Sequence, residues 1–319
     1  MVKVSVILPN YNHAQYLQKR IDTILYQSFQ DFELIIIDDN SSDDSKNILN
    51  KYKNHDKVSH LIYNKINSGS PFGSWKKGFE LARGEYIWIA ENDDWAEQNF
   101  LEVLVEKLDE YPQAGIAYTD SNIVNEKSKK IGTWKKIKNK KFSTHKWEKN
   151  YVKKGMTELL ENMLVVMTIN NMSACLIRKS ALPNMSQIEN LKGAGDWLLC
   201  TLVLLNHDIV YCAKSLNYYR THDQNITKSN DKSGLLLIEN MKFYSIVLPQ
   251  LKEKEINYSA IEFDILDRYL FKYTSTKTIT SAKKTMIRHL MLKISIHFYF
   301  KFMWMLFKYR IKNFFKKAK

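Results

Sequence analysis

Three short stretches near the N-terminus, "VSVILP", "FELIII" and "YIWIA", are apolar at nearly every position. Each is strand-length and rich in β-branched or aromatic residues, and apolar character on both faces predicts strands buried inside a parallel sheet. Between them the period changes. "AQYLQKRIDTILYQ", "DSKNILNKYKN" and "SWKKGFELAR" carry apolar residues at helical spacing, and "VSHLIYN" adds another short strand. Strands alternating with helices predict an α/β fold with a mostly parallel central sheet covered by helices on both faces. Farther along, "NMSACLIRKSAL" is strand-like, "GAGDWLLCTLVLL" is a Gly-rich turn into a helix, and "DIVYCAKSLNYYRTH" is strand-like again. From about Asn230 the pattern is helical. The chain divides into an α/β domain over 1–225, a helical extension over 226–284 and a distinct tail over 285–319.

Polar residues gather where the apolar stretches stop. Asn10, Tyr11 and Asn12 follow the first, Asp38, Asp39 and Asn40 the second, and Glu91, Asp93 and Asp94 the third. In open parallel sheets ligands collect at the carboxyl ends of strands, so three strands aim polar groups at one rim. Adjacent carboxylates repel one another, and solvent or a bound cation must offset that cost. A dinucleotide site would need a glycine-rich turn after the first strand, and "PNYNHAQ" has no glycine. His and Cys at zinc-ligand spacing are missing, as is a G-x-S-x-G nucleophile turn. A hard-cation site suited to Mg²⁺ or Mn²⁺ holding a diphosphate remains.

Charge changes the picture only at the C-terminus. The 319 residues are 45% hydrophobic and 26% charged, as in a globular chain able to bury a substantial core, with a net charge of +14. Of the 48 Lys and Arg, 14 follow Asp267, after which no acid occurs; the remaining 34 balance all 34 acids. The basic excess therefore belongs to the tail, and no nucleic-acid partner is expected. In "MIRHLMLKISIHFYFKFMWMLFKYRIKNFFKKAK", Lys293, His297, Lys301 and Lys308 fall on one narrow face of a single helix, opposite a wide apolar face. These polar interruptions argue against a membrane span and favour an amphipathic helix on an anionic membrane surface. The alternative is a helix packed on its own domain or on a second subunit. Residues 127–154 hold twelve lysines and one acid, which predicts a solvated loop or, less readily, the path of an anionic substrate. Cys175, Cys200 and Cys212 lie in apolar settings without a C-x-x-C pair, as buried reduced thiols do. The first apolar run is too short for a signal peptide, so the expected location is cytoplasmic, peripheral on the inner face of the cell membrane.

Four stretches in order, "VSVILPNYN", "LIIIDDNSSDDS", "ARGEYIWIAENDD" and "GAGDW", resemble the family 2 glycosyltransferases, inverting enzymes with the GT-A fold. The likeness covers residues 1–120 and 170–225 and is absent from the tail. It implies that Pro9 and Tyr11 flank a nucleotide base, that Asp39 accepts a hydrogen bond from a uracil ring N–H, and that Asp38 supports that loop. Glu91-Asn92-Asp93 stands where the family has its D-x-D motif. Asp93 would then bind the metal bridging the diphosphate, with Glu91 near the ribose or a metal-bound water. The resemblance makes Asp196 the general base and places His222 near the diphosphate or metal. Two departures stand out. Glu91 is one methylene longer than the family's Asp, and "NSGSPFGSWKKG" puts Trp75 where Arg is common, leaving Lys76 or Lys77 to supply the positive charge.

The implied activity is metal-dependent inverting transfer from a nucleotide-diphosphate sugar, most simply a UDP-sugar, to a glycan or lipid-linked acceptor in surface polysaccharide synthesis. A sugar nucleotidyltransferase or a degenerate, binding-only transferase are the alternatives. Several acids have structural readings of their own. Asp43 and Asp44 are placed to cap a helix, Asp94 to cap the helix of "WAEQNFLEVLVEKL", and Asp120 to form a turn or line a pocket. Trp197 is either an acceptor platform or a core aromatic.

Overall fold

A computed structural model describes residues 2–222, 234–275 and 279–317. Its first strands are β1 (Val4–Asn10) and β2 (Phe32–Asp38), buried at every position, as strands covered on both faces must be. They are joined by helix α1 (Ala14–Leu25) and followed by α2 (Ser45–Asn50), β3 (Val58–Tyr63), α3 (Pro71–Leu81) and β4 (Tyr86–Ile89). Next come β5 (Trp95–Ala96), α4 (Phe100–Glu110), β6 (Ala114–Val124), β7 (Lys130–Thr133), α5 (Trp134–Phe142), β8 (Tyr151–Lys153), α6 (Gly155–Glu158), β9 (Cys175–Arg178), α7 (Gly195–Leu204) and β10 (Asp208–Arg220). The strands form one ten-stranded sheet in the order β3-β2-β1-β4-β9-β6-β10-β5, with β7 on β6 and β8 on β10. β1 runs parallel to β2 and β4, and β10 parallel to β6, while β9 lies antiparallel between β4 and β6. This is the GT-A-like architecture, a mixed and mostly parallel central sheet carrying helices.

The order fixes where a ligand can sit. The chain leaves β1 toward β2 and β3, then returns to β1's other side as β4, which makes the β1/β4 boundary a topological switch point. Pairing between these strands ends at Ile7 and Ile89, whereas β1 stays paired with β2 through Asn10 and Asp38. The crevice therefore opens between the carboxyl ends of β1 and β4.

The chain forms two units. The first holds residues up to Glu161 with Met167–His222, and the second Asn162–Val166 with the residues after His222. In the second, helices α8 (Leu235–Glu253), α9 (Ser259–Ser275), α10 (Ser281–Ile294) and α11 (Ile296–Lys317) pack together. Tyr244 donates to the Leu164 carbonyl at 2.9 Å, which ties Asn162–Val166 to α8.

Two sequence expectations are corrected here. The lysine-rich segment is not one solvated loop, because it contains β7, α5 and β8. Lys138 is buried against the rings of Tyr118, Trp147 and Tyr211, about 5 Å from each centroid. The tail is also not one helix. Ser295 has extended backbone (φ −170°, ψ 156°), so Lys293 lies in the last turn of α10 and cannot share a face with His297, Lys301 and Lys308 of α11. Lys301 turns inward to Glu262 at 2.7 Å. The wide apolar face divides in two. Phe298, Phe302, Met305 and Leu306 are buried, Phe302 edge-on to Tyr269 and Tyr273, whereas Ile296, Phe300, Trp304, Phe307 and Ile311 are exposed.

Candidate active site

Each strand-end group has a distinct task in the crevice. Asn10, buried at the end of β1, donates to Asp38 Oδ1 at 2.7 Å and accepts from Asn92 Nδ2 at 2.9 Å. Asn92 Oδ1 in turn accepts from His13 Nδ1 at 2.6 Å. The β1 and β4 ends are clipped together by these bonds, which place the Asp38–Asp39 turn and the Glu91–Asp93 turn on one rim. Asp38 also accepts from the Ser41 backbone N–H and hydroxyl at 2.9 and 2.6 Å, so its oxygens are spent on holding the loop.

Asp39 is buried and takes both oxygens toward the segment before α3. Its Oδ1 accepts from Asn64 Nδ2 at 2.7 Å, and its Oδ2 from the Ser68 N–H and hydroxyl at 2.9 and 2.7 Å. Lys77 donates to Asn64 Oδ1 at 2.9 Å and stands one hydrogen bond behind Asp39. Lys76 pairs instead with Glu189 at 2.7 Å. Gly69, at φ +72°, closes this turn where a side chain would be strained. Pro9 is buried in β1 opposite Ile37, while the Tyr11 ring, just beyond the strand, is 48% exposed.

The second acidic group is crowded. Burial and the charges of Asp93 and Asp94 push the Glu91 carboxyl up to about 8, against the opposing field of Arg20. Asp94 is buried and likewise raised, by burial and by Asp93; it accepts from Asn171 Nδ2 at 2.9 Å and the Arg220 N–H at 3.0 Å. Asp94 caps no helix, since β5 intervenes and α4 begins at Phe100 with Asn99 as its N-cap residue. Asp93 Oδ2 lies 3.1 Å from His222 Nε2. Arg220 spans the Tyr16 and Trp95 rings at 4.5 and 4.9 Å, and its Nε donates to the Asp93 carbonyl at 3.0 Å. Register shifts in β10 between Cys212 and Asn217 re-aim the strand's end so that the Arg220 backbone meets Asp94.

Among the described residues no three His, Cys, Asp or Glu form a ready-made cation cage. Asp93 and His222 are a pair that could contribute two ligands to one, since hard divalent cations take few protein ligands when a diphosphate supplies the others.

Asp196 opens α7, where its Oδ1 accepts from the Trp197 N–H at 2.7 Å. Burial lifts its carboxyl from 3.8 to about 6. The preceding Gly195 lets α7 press on α3, since a Cβ there would lie 2.6 Å from the Phe72 ring. Tyr219 connects this residue to the others. The hydroxyl of this half-buried side chain is pushed above the usual phenol range by desolvation and then by Asp94, Asp93 and Asp196. Trp197 is buried, as a core aromatic is. Asp120 is also fully buried, bonded to the Lys135 N–H and the Ser215 hydroxyl at 2.7 and 2.6 Å, and it forms no turn. Asp43 caps the start of α1 through the Ala14 N–H at 2.8 Å and takes the Ser45 N–H at 3.0 Å. Asp44 is the N-cap residue of α2, but its side chain bonds Asn47 rather than a backbone N–H.

Sequence reasoning missed Arg20, Asn171, Tyr219 and Arg220. Arg20 carried a usable signal: on α1 it falls among the core-facing Leu17, Ile21 and Ile24. Its guanidinium is fully buried without a hydrogen-bond partner, 4.8 Å over the Trp88 ring, and the charges of Asp94, Glu91 and Asp93 oppose the burial that lowers it to about 10.

Comparison with known proteins identifies the family. The family described as Glycosyl transferase family 2 matches residues 5–174. A GalNAc(5)-diNAcBac-PP-undecaprenol beta-1,3-glucosyltransferase of Campylobacter jejuni is 26% identical over 301 residues, spanning 92% of this chain and 90% of that protein. The poly(ribitol-phosphate) beta-N-acetylglucosaminyltransferase TarP of Staphylococcus aureus is 36% identical over 108 residues, about a third of either chain. In fold, the chain superposes on residues 1–349 of TarS from S. aureus with UDP-GlcNAc, with a TM-score of 0.65 at 17% identity, covering 91% of this chain and 79% of that one. A mannosyltransferase from Pyrobaculum calidifontis with GDP-Man and Mn²⁺ gives 0.56 at 12% identity, covering 99% and 88%. With its family pattern running from β1 to the residue before β9, this chain belongs to glycosyltransferase family 2 and is a glycosyltransferase.

Proposed function

We propose that this enzyme moves a sugar, with inversion, from a UDP-linked donor to a hydroxyl of a lipid-linked glycan in surface polysaccharide synthesis. One observation carries the reading. Asp39 and Asp93 follow the carboxyl ends of β2 and β4 beside the switch point of the sheet, His222 lies 3.1 Å from Asp93, and Asp196 shares Tyr219 as a neighbour with Asp93, each in an environment suited to one part of the reaction. Asp39, set by Asn64 and Ser68, receives the uracil N–H, and the exposed Tyr11 ring covers the base. Asp93 and His222 hold the diphosphate end, where a bound Mn²⁺ or Mg²⁺ would neutralise the charge growing on the leaving group. Asp196, ionised above about pH 6, takes the proton of the acceptor hydroxyl as that oxygen attacks the anomeric carbon. The Campylobacter relative, named for a diphosphoundecaprenol-linked acceptor and matched along nine-tenths of its length, supports the choice of acceptor.

We further assign the exposed stripe of α11 to an anionic membrane surface at the cytoplasmic face. At about 100° per residue, Ile296, Phe300, Trp304, Phe307 and Ile311 fall within roughly 80° of one another, flanked by His297 and Lys308 on one side and Arg310 on the other. No helix among the described residues is long and apolar enough to cross a membrane.

Incubation with Mn²⁺ and a panel of nucleotide sugars tests the main reading. Release of UDP with one donor is expected. Pyrophosphate exchange would indicate a nucleotidyltransferase, and binding without turnover a degenerate subunit. For the membrane assignment, the Phe300→Ser/Trp304→Ser double variant should lose co-sedimentation with phosphatidylglycerol vesicles; undiminished binding would reject it.

A further inference from the structure

We propose that a cleft between β7, α5 and the end of β10 is the acceptor site, shaped for a sugar joined through a phosphate or diphosphate to an apolar chain; this rests on the transferase reading above. The cleft measures about 540 Å³. One wall is apolar, formed by Ile123, Ile131 and Ile137, of which the last two are exposed. Soluble sugar gains little from such a wall, whereas a hydrocarbon chain is stabilised by it.

The other wall offers donors without acceptors. Thr133 is buried, lines the cleft and is the N-cap residue of α5, yet its Oγ1 has no hydrogen-bond partner. The Trp134 indole Nε1 beside it is also buried and unpartnered. Unmade hydrogen bonds in such places are costly unless a ligand completes them. Both donors stand at the start of nine-residue α5, where Asp120 already accepts from the Lys135 N–H, and Lys136 adds a formal charge on the exposed rim. Hydroxyl, indole N–H and ammonium together match a phosphate oxygen. The exposed Lys129, Lys130 and Lys140 in the adjoining segment extend the same complementarity.

Tyr219 places this cleft against the reaction. Its ring forms part of the lining and packs on Trp134 at 5.6 Å, while its hydroxyl lies in the field of Asp93, Asp94 and Asp196. An acceptor with its phosphate at the start of α5 and its chain on Ile131 and Ile137 would present its sugar along Tyr219 toward Asp196.

Binding of two probes to the full-length protein tests the assignment: N-acetylglucosamine diphosphate esterified with farnesol, and the same compound esterified with methanol. The farnesyl probe is expected to bind at least tenfold more tightly than the methyl probe. Ile137→Glu should erase that preference, and Thr133→Val should weaken both probes several-fold. UDP affinity, read by thermal shift, should remain at the wild-type value in both variants, showing them folded. Equal affinity of wild type for the two probes, as expected of a site for a soluble polyol-phosphate polymer, would overturn the proposal. So would an Ile137→Glu variant that keeps the preference. If the preference holds but no nucleotide sugar yields UDP, the transferase reading falls and the lipid-phosphate cleft stands.

Discussion

The crevice holds two acidic groups, and the fold treats them in opposite ways. At Asp38–Asp39 the carboxylate oxygens accept from Asn10, Ser41, Asn64 and Ser68, so the charge is spread over neutral donors already in place. At Glu91–Asp94 three acids crowd together, two of them raised by burial and mutual repulsion, with the unpartnered Arg20 guanidinium as a fixed cation nearby. Hydrogen-bonded carboxylates are pre-organised to recognise a ligand through a fixed lone pair. Crowded ones keep an electrostatic debt that a divalent cation can discharge. Sequence proximity of acids therefore says little about their environment, which is set by the donors and charges around each.

The most damaging change should be Asp93→Ala. It is expected to lower kcat/KM by ~10³-fold or more, because divalent cations contribute several kcal/mol to such displacements. The same variant should lose the Mn²⁺-dependent part of UDP binding in calorimetry. Retained metal-dependent binding would assign the metal elsewhere.

Asp196→Asn should come next, lowering kcat by ~10²- to 10⁴-fold with donor affinity kept. The wild-type rate should climb as pH passes about 6 and level off above it, since only the ionised carboxylate accepts a proton. Stability follows the opposite sign. A carboxyl raised from 3.8 to about 6 binds its proton more tightly in the folded state, so its stabilising contribution is full below pH 3.8 and lost as pH rises through 6. At pH 8 the Asn variant should therefore melt a few degrees above wild type while being nearly inactive. A variant that loses both activity and stability would make Asp196 merely structural.

Smaller again is Asp39→Asn, expected to weaken UDP ~10- to 10²-fold, the worth of one or two hydrogen bonds to a charged group. Asp93→Ala and Asp39→Asn should also differ in kind, the first abolishing metal dependence and the second leaving it intact. If both erase it, the contrast between the two acidic groups fails.

How much of this could be read from the chain depends on range. β1, β2 and β4 were legible because burial on both faces leaves an unbroken apolar run, and their ends announced the rim. The break at Ser295 was not, since Lys293, His297 and Lys301 keep helical spacing across it and only backbone angles reveal the turn. The lysine-rich segment misled for a related reason: Lys138 occupies an aromatic box whose members lie 9 to 73 positions away, and composition cannot report such contacts. Asp94 looked like a cap because an apolar helix follows, whereas β5 and the β10 contact claim it.

Arg20→Met offers the subtlest test of the same contrast. Burying an unpartnered guanidinium costs several kcal/mol, offset here by Trp88 and by neighbouring carboxylates when these are ionised. Near pH 5 Glu91, whose carboxyl titrates at about 8, is protonated and repays little, so the variant should equal or exceed wild type in thermal stability. As pH rises through 8 the ionised Glu91 loses the attraction of Arg20 only in the variant, and the difference should move toward wild type by about 1–2 kcal/mol. Parallel pH curves for Arg20→Met and wild type would show that Arg20 is packed against the acids without acting on them.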